Sequence, residues 1–130
     1  MIKKMFMFSV MAVLAAVVAH ADPSQVYGKW QSSQAQNGIK FTIGMEISTQ
    51  QTVFSNSCTI NGETGTVSAA VPTQVTANQI VVTGSANASK NVGGLNCNLN
   101  IAPMQFDYTV NANTLSLSMS GQTIQFTKAN

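Results

Sequence analysis

The sequence predicts an all-β domain, an antiparallel barrel or sandwich built from about nine short strands. Three observations carry this expectation. Beyond the first two dozen residues, apolar and polar positions alternate almost everywhere, the period of a strand with one buried face. Clusters of Gly, Asn and Pro interrupt that alternation about every 8–12 residues, the spacing of tight turns in sandwiches and barrels. No segment there shows the three-to-four spacing of an amphipathic helix. The connections are too short for frequent Greek-key crossovers, so an up-and-down meander is favoured.

The elements follow in order. A first strand surrounds Trp30, and Phe41, Ile43, Met45 and Ile47 then alternate with Thr42, Gly44, Glu46 and Ser48. The pattern returns at Phe54, Cys58 and Ile60, at Val67, Ala69 and Val71, and at Ile80 and Val82. It continues through Leu95, Cys97, Leu99 and Ile101, then Met104, Phe106, Tyr108 and Val110. Leu115, Leu117 and Met119 precede the last pair, Ile124 and Phe126. Turns are expected at Gln36-Asn37-Gly38, Asn61-Gly62, Pro72, Ala77-Asn78, Asn91 to Gly94, Asn111 to Asn113 and Ser120-Gly121. Ala70 to Asn78 and Ala86 to Gly94 read as loops or rim segments.

The chain opens with Lys3 and Lys4, an apolar run from Met5 to Ala19, and the small-x-small triplet Ala19-His20-Ala21. This is the layout of a cleaved signal peptide over residues 1–21, and the run is shorter than the ~20 residues a spanning helix needs. Residues 22–130 are then expected to form a single exported domain, periplasmic or secreted, with no stable membrane insertion. The Lys-led leader resembles bacterial ones.

Removing the leader also removes the basic character. Lys29, Lys40, Lys90 and Lys128 balance Asp22, Glu46, Glu63 and Asp107, and the chain has no Arg. With no basic surface to meet phosphates, nucleic acid is excluded as a partner. Two cysteines in an exported chain, Cys58 and Cys97, imply one disulfide. Both fall in the apolar phase of their strands, so the bridge would face the interior. Closing a loop of about 40 residues contributes roughly 3–4 kcal/mol in the chain-entropy description.

The stretch Gly28-Lys29-Trp30 resembles the G-x-W at the start of the first strand in lipocalins and related calycin barrels. In that family the Trp closes one barrel end, and a basic residue of the last strand stacks on its ring. Ile124, Phe126 and Lys128 share a strand face here, so the resemblance implies barrel closure by Gly28, Trp30 and Lys128. A cation over an indole contributes about 0.5–2 kcal/mol, and the Lys stem covers apolar surface. The resemblance refines the fold to a small calycin-like barrel of about 8–9 strands. The chain is shorter than typical lipocalins and shows no helix after the barrel.

Catalysis finds few groups to use. The single His20 leaves with the leader, which removes His-based acid–base chemistry, His-paired nucleophiles and His-containing zinc sites. Glu46 and Asp107 fall in the outward phase, so no carboxylate pair faces one sugar at about 5–9.5 Å. Glu63 alone after Asn61-Gly62 is no calcium ligand set. No catalytic residue, metal or cofactor is expected, and the protein reads as a non-enzyme.

If the barrel holds a ligand, Phe41, Met45, Phe54, Phe106 and Met119 are the candidate apolar lining. Asn56 and the Tyr108 hydroxyl are the polar groups that could orient it. The competing expectation places Asn56 on backbone at a bulge or rim and the Tyr108 hydroxyl at the barrel mouth. A small apolar molecule is the first-choice partner. Another exported protein is the alternative, as for a protease or lysozyme inhibitor, and a surface or fimbrial subunit is the third reading.

Overall fold

The structure, a computed structural model, describes residues 23–129; the expected leader, Asp22 and Asn130 lie outside the described residues. Ten strands follow a short 3-10 turn at Pro23–Gln25. They are β1 (Gly28–Gln36), β2 (Ile39–Ile47), β3 (Gln51–Ile60), β4 (Glu63–Val75), β5 (Gln79–Val82), β6 (Ala86–Val92), β7 (Leu95–Ile101), β8 (Met104–Asn111), β9 (Thr114–Met119) and β10 (Gln122–Lys128).

Turn chemistry sets the hairpins. At Asn37-Gly38, Asn61-Gly62, Gly93-Gly94 and Ser120-Gly121 both loop residues have φ between 52° and 86°. Two consecutive left-handed residues match the right-handed twist of the flanking strands, which is why Asn and Gly recur there. Ser120 and Ala112 hold positive φ without that chemistry.

Eight strands close an antiparallel barrel in the order β1-β10-β9-β8-β5-β4-β3-β2. Neighbours in the wall are neighbours in the chain, as an up-and-down meander requires, with one excursion. Between β5 and β8 the chain leaves the wall and forms β6 and β7, a separate two-stranded sheet. This corrects two expectations. β7 alternates like a wall strand but is not one, and Ala86 to Val92, read as a loop, is a strand. Its small residues conceal the pattern: Ala86 and Ala88 take the core-facing positions but are only half-buried, and larger apolar side chains would mark a strand more plainly. Ala70–Val75, read as irregular, continues β4 instead, with Val71 and Thr73 buried. Pro72 is tolerated because its nitrogen faces the β5 side one residue beyond the β4–β5 ladder, which ends at Thr73 and Val82, while its carbonyl still accepts from Thr83 N.

Inward positions divide the core into zones. From the Trp30 end upward, Val26, Trp30, Met45, Ile47, Ile80, Tyr108, Leu115, Leu117 and Phe126 belong to one cluster. Toward the other end, the β6–β7 hairpin packs on the inner face of β3 and β4 through Cys58, Ile60, Val67, Val92 and Cys97. The Cys58–Cys97 disulfide ties the two layers, and both residues are fully buried. Gly65 permits the approach, since a Cβ there would lie 2.5 Å from Val92 Cγ2. Glu63 Oε1 accepts from Gly93 N at 2.8 Å, and Asn61 Nδ2 donates to Gly93 O at 3.0 Å, fixing the hairpin tip.

The outer wall is hydroxyl-rich. Ser33–Thr42, Ser57–Thr66, Thr59–Thr64 and Ser118–Thr123 form cross-strand hydrogen bonds of 2.8–2.9 Å. Apolar groups point in and polar groups out, the opposite phase to a membrane-spanning barrel, whose lipid-facing band is apolar.

Candidate functional site at the open end of the barrel

One barrel end is plugged. There Trp30 is 1% exposed and donates its indole N–H to Val26 O at 2.8 Å. Lys128 pairs with Trp30 across the β1–β10 seam, and its Nζ sits 4.6 Å from the ring centroid. The same ammonium donates to Tyr27 O at 3.0 Å. Gly28 has φ 124°, and a Cβ on it would stand 2.7 Å from Lys128 Nζ. The Gly, Trp and Lys therefore form one unit: the glycine leaves room for the ammonium, which covers the indole that stops the barrel.

Above this plug, toward the β9–β10 turn, lies a cavity of about 190 Å³ lined by Ile43, Met45, Phe54, Phe106, Leu117, Met119, Gln122, Ile124 and Phe126, of which Met45, Leu117 and Phe126 belong to the same buried cluster as Trp30. Gln122 is its only polar lining residue. Ile43, Met119 and Ile124 are 38–45% exposed, so the rim itself is apolar. Elsewhere large hydrophobics are mostly covered, which makes this cluster a distinct feature of the surface.

Of the ligand-site candidates, Met45, Phe54, Phe106 and Met119 meet in this cavity. Phe41 packs against the disulfide cluster beneath the hairpin instead. Asn56 Nδ2 donates to Asn98 O at 2.8 Å, a backbone bond to the hairpin, and its Oδ1 is buried without a partner. Tyr108 is buried at the plugged end, where its hydroxyl donates to Thr76 O at 2.6 Å. Neither polar candidate lines the cavity, and the hydroxyl is not at the open mouth. Sequence reasoning missed Ile43, Leu117, Ile124 and Phe126 as lining. Their inward phase was readable, but alternation does not report height along the barrel axis.

A second recess, about 330 Å³, lies on the outer wall over Gly44 between Lys29, Gln31, Thr42, Glu46 and Ser55. It is a shallow depression open to solvent, bordered also by Val53 and Ala129, and Ser55 Oγ reaches into the space that a Gly44 side chain would take. The carboxylates are dispersed: Glu46 faces out, Glu63 serves the hairpin tip, and Asp107 Oδ1 accepts from Gln79 Nε2 at 3.2 Å. Among the described residues no group of three or more His, Cys, Asp or Glu could hold a metal.

No family model, curated protein or solved structure matches this chain.

Proposed function

We propose that this protein is an exported, non-enzymatic, lipocalin-like binding barrel that takes a small apolar group at its open end. The observation that carries the reading is the apolar cavity with its exposed Ile43, Met119 and Ile124 rim, above the Trp30–Lys128 plug. Its volume, about 190 Å³, falls short of the roughly 300–1,000 Å³ of drug-sized pockets. It is comparable to an engineered apolar cavity of about 150 Å³ that binds benzene. The ligand class is therefore a single ring or a short alkyl chain, selected by shape and apolarity, with any polar end left at the rim beside Gln122. The leader-like N-terminus and the disulfide support export, and the dispersed carboxylates support a non-catalytic role.

The test is a titration of oxidised residues 22–130 with p-xylene and with 1-hexanol, followed by methyl NMR. Saturable shifts of the Met45, Met119 and Ile43 methyl groups are expected, with Val67 and Val92 beneath the hairpin unmoved. Absence of saturable shifts at the cavity methyls overturns the reading. The same apolar rim also suits contact with another exported protein, and inhibition of a secreted protease or lysozyme by the mature chain would favour that alternative.

A further inference from the structure

The barrel wall is zipped at β1–β10 over only part of its length. Paired residues at this seam are Trp30 with Lys128 and Gln31 with Thr127. Beyond them, Ser32–Gln36 of β1 has β2 on one side and no strand on the other among the described residues. Gln122–Phe126 of β10 likewise has β9 on one side only. Two strand edges of about five residues thus flank the open end.

The direction of the backbone groups follows from the bonds that do form. Ala129 N donates to Lys29 O at 2.8 Å, and Thr127 Oγ1 donates to Gln31 O at 3.4 Å, so odd-numbered residues of β1 turn their peptide groups toward β10. Alternation then points those of Ser33 and Ala35 into the seam. On β10, Lys128 N donates to Asn113 O, on the β9 side, which turns Thr123 and Gln125 toward β1. Continued pairing would join Ser33 with Gln125 and Ala35 with Thr123, and neither pair is made. Ile43 and Ile124, next to these edges, belong to the apolar cavity.

We propose that this seam is a strand-addition site for an extended, uncharged segment of another protein, about five residues long and apolar at alternate positions. Backbone groups on either edge would hydrogen-bond the incoming chain, and its alternate side chains would enter the cavity. Three features select this occupant. Neither unpaired edge nor the cavity lining carries a charged residue, and neither edge has the Lys or Pro that usually blocks unwanted pairing. A second folded copy would meet one edge from outside, and five residues fall well short of the roughly 800 Å² per partner typical of stable association. A single strand can use both edges and the floor. The described chain itself enters and leaves at the plugged end, Pro23 near Val26 and Ala129 beside Lys29, away from the unpaired edges. The site shares its floor with the small-ligand cavity but does not depend on that reading.

The probe is the blocked peptide acetyl-TVTVT-amide, added to oxidised, 15N-labelled residues 22–130. At saturation, amide hydrogen exchange at Ser33, Ala35, Thr123 and Gln125 is expected to slow at least tenfold. N-methylation of both valines should weaken binding at least tenfold, since it keeps the side chains and removes backbone donors. Ala35→Pro removes a seam-facing N–H and should weaken binding similarly, with circular dichroism confirming the fold. No protection at millimolar peptide overturns the proposal. Equal binding of the N-methylated peptide also overturns it, because the cavity would then be capturing side chains alone. Protection of the same amides that rises with protein concentration and needs no peptide would make the occupant a second copy, again overturning it. Protection by peptide without any uptake of p-xylene or hexanol would uphold the strand site while sinking the small-ligand reading.

Discussion

Gly28→Ala tests the closure of the barrel most directly. The backbone at Gly28 has φ 124°, a conformation L side chains rarely adopt, at a cost of about 1–3 kcal/mol. The new Cβ would stand 2.7 Å from Lys128 Nζ, so the ammonium must leave its place over the indole and its bond to Tyr27 O. Losing a partly exposed cation–π contact removes about 0.5–1 kcal/mol. The single variant is therefore expected to lose about 1.5–4 kcal/mol. In a Lys128→Ala background only the backbone cost remains, so the same change should cost about 1 kcal/mol less, and the difference is the coupling of the two residues. Urea unfolding followed by fluorescence of Trp30, the sole tryptophan, measures all four corners of the cycle. A coupling indistinguishable from zero would refute the argument that Gly28 exists to admit Lys128.

Other perturbations probe the remaining supports. Cys58→Ala with Cys97→Ala releases a loop closed over 39 positions and should cost about 4 kcal/mol by chain entropy, seen as a lower thermal midpoint against the oxidised protein. Midpoints within a few degrees of each other would show that the hairpin is held by packing alone. Thr52 and Thr73 are buried and share a 2.9 Å hydroxyl bond. Thr52→Val alone should cost about 1–3 kcal/mol by stranding the other hydroxyl, while adding Thr73→Val should recover most of it in the same denaturation assay. A double variant worse than the single would contradict this. Ala112, at φ 55°, gains from replacement by Gly, with an expected stabilisation of about 0.4–1 kcal/mol. A lower midpoint for Ala112→Gly would show that its side chain contributes packing that outweighs backbone relief.

Most of the wall was legible because strand and turn signals are local. Asn37-Gly38 and Asn61-Gly62 specify their turn geometry within two residues, and the alternation from Phe41 to Ile47 specifies which groups point inward. Ala86 to Val92 was not legible, since its core-facing positions Ala86 and Ala88 carry too little apolar surface to set a period. The site was half legible. Met45, Phe54, Phe106 and Met119 were identifiable as large inward groups, but so were Phe41 and Tyr108, which the fold carries elsewhere.

The sequence by itself determined the all-β class, the inward and outward faces, the hairpin turns, the Cys58–Cys97 pairing of its two cysteines and the meeting of Lys128 with the Trp30 ring. All of these follow from period, turn chemistry, cysteine number or a resemblance readable along one chain. Only the tertiary structure decided that β6 and β7 leave the wall, that Asn56 binds the hairpin while Tyr108 lies at the plugged end, and that β1 and β10 part above Gln31. Those outcomes depend on strand stagger and on packing between layers, which place residues of equal phase at different heights along the barrel. A period of two records the face a side chain takes and carries no information about that height.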